Sequence, residues 1–159
     1  KIVDRCLLLE LDQVRWRTTP QHQLGERSGL PGLARIELPE TLPSDERVDT
    51  LVEAIETSVE QNHLRQDLLP SWRVREDIQA MLGLWEAAAL HALLPRDVLV
   101  DRLIASRILV KISGAYEQVK PLLASISPLI DQWPALKQTQ RRMGIMQKQR
   151  VMGFVSPWQ

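Results

Sequence analysis

The side chains in this sequence that could do chemistry are scattered along the chain. Asp97 and Asp101 stand four residues apart, which places two carboxylates on one helix face. Such a pair does acid–base work when its surroundings split the two pKa values, and no basic or desolvating residue type stands beside it. Both therefore read as acids near a helix start, where the dipole favours them. His22, His63 and His91 have no second ligand at metal spacing and read as solvated or core histidines, with no metal site. The segment GERSGLPG lacks the GxxxxGK(S/T) order that cradles phosphates. Nothing here is a competent catalytic constellation, so a self-contained enzyme is not expected.

Charge is more informative. The 159 residues carry 20 basic and 20 acidic side chains, so no global attraction to nucleic acid or an anionic membrane follows. That balance hides segregation. Residues 37–60 hold Glu37, Glu40, Asp45, Glu46, Asp49, Glu53, Glu56 and Glu60 against Arg47 alone. Residues 137–150 hold Lys137, Arg141, Arg142, Lys148 and Arg150 with no acid. The basic run is the candidate nucleic-acid or partner surface, although the solvated side of a terminal helix reads the same way. No aromatic interleaving suggests base stacking.

The elements that must carry these groups are mostly helical. Residues 71–114 are the centre of the chain, two helices separated by Leu94-Pro95 and closed by Gly114. The first has an apolar stripe of Val74, Ile78, Met81, Leu82, Trp85, Ala88, Ala89 and Ala92. The second has Leu99, Leu103, Ile104, Ile108 and Ile112, broadened by Val98, Val100, Leu109 and Val110. An earlier helix, capped by Ser44, runs to about Leu64 on Val48, Leu51, Val52, Ile55 and Val59. After Gly114 a shorter helix carries Val119, Leu122, Leu123 and Ile126, with Pro121 in its first turns and Ser127-Pro128 interrupting it. A last helix starts at Pro134, continues to about Met152 and stops at Gly153, and the tail FVSPWQ is expected to fold back.

The first 44 residues read differently. CLLLEL is short and apolar, the pattern of a strand buried on both faces of a parallel sheet or of a first helical turn. Residues 12–44 are punctuated by prolines and glycines and read as a long loop, with ARIEL a possible second short strand. Starting at Lys1 directly before such a strand, the chain reads as a fragment of something longer. Cys6 is the single cysteine, which excludes an internal disulfide and points to a reducing cytoplasm. No apolar run approaches the ~18 residues of a membrane span, and no signal-peptide pattern is present. Trp16, Trp72, Trp85, Trp133 and Trp158 read as packing residues, with Trp16 and Trp158 available to a subunit interface.

Four motifs, in order, resemble the McrB-like AAA+ NTPases. KIVDRCLLLEL resembles the stretch after sensor 1 that leads into the last core strand. WRVREDI resembles the opening of a lid helix, and VLVDRLIASRILVKISG a later lid motif. Pro134, Lys137, Met143 and GFVSPW resemble the family's C-terminal pattern. The resemblance implies a mainly α fold, a helical lid-like bundle with one or two short N-terminal strands belonging to a parallel α/β core. Residues 1–11 would be the last core strand, 12–44 a long loop and 45–159 the lid. It further implies a ring oligomer with neighbouring subunits, an AAA+ core in the same parent, a nuclease partner, DNA as an indirect partner, and GTP or ATP with Mg²⁺ held by the parent only.

By the same resemblance Arg5 falls where a trans-acting arginine approaches the neighbouring subunit's nucleotide, and Arg73 where sensor 2 reaches over the phosphates. A guanidinium suits both roles, being permanently charged and forked onto phosphate oxygens. The sequence departs from the pattern at two points. Ser71-Trp72 replaces the glycine usual before the sensor-2 arginine, which leaves Arg75 as a second candidate. RILVKISG has lost a proline and keeps only Lys111 before Ile-Ser-Gly. Read without the resemblance, Arg73 would pair with Asp77 one turn on, and Arg5 with Asp4 or the strand end. The competing function is a non-enzymatic helical adaptor that binds protein or DNA through the basic last helix.

Overall fold

The computed structural model describes residues 41–156, a mainly helical body. The expected strand 1–11, the loop up to residue 40, Arg5, Trp16, His22 and Trp158 lie outside the described residues. Among the described residues the only strands are two short ones, β1 (Gly114–Ala115) and β2 (Phe154–Val155), paired antiparallel with Gly114 opposite Val155. No helix among them is long and apolar enough to cross a membrane.

Helix α1 (Glu46–Gln61) forms where the apolar spacing placed it, with Val48, Leu51, Val52, Ile55 and Val59 buried. Its cap is Asp45 rather than Ser44: the Asp45 carboxylate accepts from the Arg47 N–H at 3.2 Å. A carboxylate at this position meets both an orphan N–H and the positive end of the dipole, which a hydroxyl does less well. The helix ends before Leu64 because His63 takes a left-handed backbone, φ 51, and turns the chain.

Helix α2 (Trp72–Ala87) buries Val74, Ile78, Leu82 and Trp85. The stripe does not extend through Ala88, Ala89 and Ala92, because Ala89 is left-handed at φ 50. Trp85 holds this turn. Its indole N–H donates to the Leu94 carbonyl at 2.6 Å, and its ring meets His91 edge-on with centroids 4.2 Å apart.

Helix α3 (Arg96–Leu103) follows Pro95 and continues through a π turn (Ile104–Ile108) and a 3₁₀ turn (Leu109–Lys111). The expected core residues Leu99, Leu103, Ile104, Ile108 and Ile112 are buried, while Val98 is exposed. The change of winding is what the periodicity did not show. A π turn takes an extra residue per turn, and here Ala105, Ser106 and Arg107 are buried along with the isoleucines.

Helix α4 (Tyr116–Asp131) runs through both Pro121 and Pro128, so Ser127-Pro128 does not interrupt it. Each proline removes one N–H, yet the helix is buried on either side of them by Val119, Leu122, Leu123, Ile126 and Ile130. The carbonyl that Pro128 leaves unmet belongs to Ala124, on the exposed face where water can satisfy it. Packing of the buried face therefore outweighs the local penalty. Helix α4 packs against α1 on one side and α5 on the other.

Helix α5 (Lys137–Lys148) starts three residues after Pro134, and a 3₁₀ turn (Gln149–Met152) carries the chain to Gly153. Gly153 is left-handed at φ 70 and stops the helix as expected. The tail then folds back as β2, with the Gly153 carbonyl accepting from the Tyr116 N–H at 2.9 Å.

The cap of α5 comes from outside the helix. Asp101 on α3 is buried, and its two carboxylate oxygens accept from the N–H groups of Gln138 and Thr139, both at 2.8 Å. Thr139 returns a bond from its hydroxyl to the Asp101 carbonyl at 3.2 Å. Asp101 is thus a structural cap, and Asp97 is not its catalytic partner. Asp101→Ala is expected to lower unfolding free energy by about 1–3 kcal/mol, and Asp101→Asn by less, as measured by urea denaturation.

Candidate functional site

Two arginines open α2, and the structure separates their roles. Arg75 donates to the Glu56 carboxylate on α1 at 2.8 Å, so its charge is committed to holding two helices together. Arg73 is exposed and lies over the ring of Trp72, 5.4 Å from its centroid. The alternative partner, Asp77, sits 3.7 Å from Arg107 instead, and among the described residues Arg73 makes no ion pair. Trp72 itself is 64% exposed.

The sequence makes this end of α2 positive. The helix has 16 residues and no acid in its first turn, so its N-terminal partial charge is not neutralised locally. Ser71 precedes it in extended geometry, and its hydroxyl oxygen is buried with no hydrogen-bond partner among the described residues. An exposed guanidinium beside such a helix end can receive an anion, and its planar fork matches phosphate oxygens.

The C-terminal basic run is thinner than its sequence suggests. Lys137, Arg141, Lys148 and Arg150 are exposed. Arg142 is not part of that surface: it is only 8% exposed and donates to the Ala105 carbonyl at 3.1 Å, inside the π turn. A long side chain one position round the helix from Arg141 points to the body, where it can satisfy a backbone carbonyl. Lys111, retained from the RILVKISG motif, is partly buried, and burial pushes its ammonium pKa down.

A third cluster, not read from the sequence, joins the starts of α1 and α3 to the end of α2. The Asp45 carboxylate accepts from Arg47 Nε at 2.9 Å and from Arg96 Nε at 3.4 Å. Arg47 also reaches Asp97 at 2.7 Å, and Arg96 reaches Glu86 at 3.0 Å and the Ser44 carbonyl at 2.8 Å. Burial pushes the Asp45 pKa up, but the hydrogen bonds and charge of Arg47, with Arg96, outweigh it and hold the carboxyl below its ordinary value. The same contacts hold the Arg47 guanidinium above its usual range, its hydrogen bond to Asp45 contributing most. One signal was available in the sequence: Arg96 follows Pro95 at a helix start, where a cation is disfavoured unless an acid meets it.

A cavity of about 250 Å³ lies between the end of α1 and the start of α4, lined by His63, Arg65, Ser113 and Gln118 among others. Arg65, the only strong cation among the described residues lining it, is paired with Asp67. Among the described residues no group of three His, Cys, Asp or Glu side chains is placed to hold a metal ion. Compared with known proteins, the chain matches no family model, no curated protein and no solved structure.

The lowered Asp45 pKa has a definite sign. The unfolded carboxylate binds protons first as pH falls, so the network contributes stability that is complete above the unfolded value near 3.8 and is lost as pH drops through the folded value. Asp45→Asn is therefore expected to destabilise by an amount that stays constant between about pH 5 and 8 and shrinks below about pH 4, read from denaturant midpoints across pH.

Proposed function

We propose that this chain is the helical lid module of a McrB-like AAA+ NTPase, with Arg73 acting as the sensor-2 arginine. The observation that carries the reading is the contrast between the two candidates. Arg73 stands exposed at the N-terminal turn of α2 with no ion pair among the described residues, whereas Arg75 is already held by Glu56. A lid arginine must be free to meet a phosphate in one state and release it in another, and of these two arginines Arg73 is the one with no ion pair among the described residues.

In this reading the nucleotide, GTP or ATP with Mg²⁺, sits on an AAA+ core that belongs to the same parent. The present chain supplies Arg73 in cis, and Arg5, by resemblance alone, to the neighbouring subunit's site. The exposed Lys137, Arg141, Lys148 and Arg150 face partners in the ring or its associated nuclease, with DNA contacted indirectly. A cytoplasmic prokaryotic restriction or defence complex is the setting this implies.

The test is nucleotide turnover by a protein that contains both the core and this chain. Arg73→Ala is expected to lower kcat by about 100-fold, the scale of losing one charged donor to a transition state, while Arg75→Ala leaves it within a few-fold. Unchanged turnover in Arg73→Ala removes the assignment. Steep, salt-dependent DNA affinity of the isolated chain would favour the adaptor reading instead.

A further inference from the structure

The cavity at the end of α1 combines an apolar floor with a polar rim. Leu68 and Val119 form the floor and are buried, with Leu64 half-buried beside them. Arg65 and Gln118 on the rim are exposed, and Ser113 is half-buried. Two backbone conformations that most residues avoid shape the space. His63, at φ 51, turns the chain at the end of α1, and Gly114, at φ 146, leaves the wall before α4 without a side chain. A Cβ at Gly114 would stand 3.5 Å from Arg65 Nη1 and 4.0 Å from Val119 Cγ2, so the open space lies between the guanidinium and the apolar floor.

The ion pair of Arg65 does not use up its donors. Nε and Nη2 both donate to the Asp67 carboxylate, Nε at 3.0 Å, and this two-point grip fixes the plane of the guanidinium. Nη1 is left over on the side of Gly114 and meets no acceptor among the described residues. The acids next in sequence to the lining residues are both neutralised: Asp67 by Arg65, and Glu117 by Lys120 at 3.6 Å. A charged donor beside an apolar floor selects a ligand with a charged acceptor at one end and an apolar body at the other. A guanidinium edge is matched best by a carboxylate or phosphate oxygen, and the floor favours the acid that carries a hydrocarbon.

We propose that this cavity binds a small carboxylate with an apolar body, the carboxylate on Arg65 Nη1 and Ser113 and the body on Leu64, Leu68 and Val119. Its volume of about 250 Å³ lies below the ~300–1,000 Å³ of drug-sized pockets, so the occupant has on the order of ten non-hydrogen atoms. None of these residues has a role toward nucleotide in the lid reading, and the inference stands whether or not Arg73 meets a phosphate.

Benzoate is a probe of that size. Titrated into the isotope-labelled full chain, it is expected to shift the amide resonances of Ser113, Gly114 and Gln118 saturably, with a Kd of about 1 mM, the range open to so few atoms. Benzamide has the shape without the charge, and inorganic phosphate the charge without the apolar body; each is expected to bind about tenfold more weakly or worse. Arg65→Gln is expected to weaken benzoate by about tenfold or more while thermal melting stays unchanged, because an exposed ion pair contributes little to stability. Gln118→Glu is a second variant if Arg65→Gln melts early. It sets a like charge on the rim, keeps the side-chain size, suits the first turn of α4, and is expected to weaken benzoate several-fold. No saturable shift at these amides, benzamide or phosphate binding as tightly as benzoate, or full benzoate affinity in either folded variant overturns the proposal.

Discussion

Two backbone N–H groups at the start of α5 close on a single carboxylate from α3, and the arrangement of the helices depends on that contact. Asp101 is buried, and an ionised carboxylate is tolerated in such a place only when hydrogen bonds replace its water. The amides of Gln138 and Thr139, themselves orphans of a helix start, supply them at 2.8 Å each. Each side of the contact removes the other's desolvation cost. The register between α3 and α5 follows, and with it the position of Met143 and Met146 in the core.

The helix that contributes Asp101 is also the most deeply placed. From Leu103 to Val110 every residue is buried, and the winding passes from α to π to 3₁₀ along the way. A π turn is costly in isolation and persists where packing on all sides specifies it. Arg142 reaches from α5 to the Ala105 carbonyl within that turn, so α5 and the π turn support each other. At the opposite end, the Asp45–Arg47–Arg96 network ties the starts of α1 and α3 to α2 through Glu86, using charge where apolar packing thins out.

The charges of the surface are sorted in consequence. Charges needed for cohesion turn inward or pair, as Arg75, Arg96, Arg107 and Arg142 do. Among the exposed charges are Glu46, Asp49, Glu53 and Glu60 on α1, Lys148 and Arg150 beside the apolar Val151 and Met152, and Arg73 at the head of α2.

The order of residues by itself determined the helices and most of the core. The apolar spacings of α1, α2 and α3 pick out Leu51, Ile55, Ile78, Leu82, Leu103, Ile104 and Ile108, all of them fully or almost fully buried. Gly153 as a stop was legible too, because a left-handed glycine leaves a local signature, and of the tail expected to fold back Phe154 and Val155 do so as β2. Tertiary structure alone decided which arginine was committed and which was exposed, that Asp101 caps a helix 37 residues away, and that α4 survives Pro128. Those outcomes depend on groups far apart in sequence: a propensity is local, whereas the partner of a buried charge or an orphan N–H is chosen by whichever surface the packed helices bring against it.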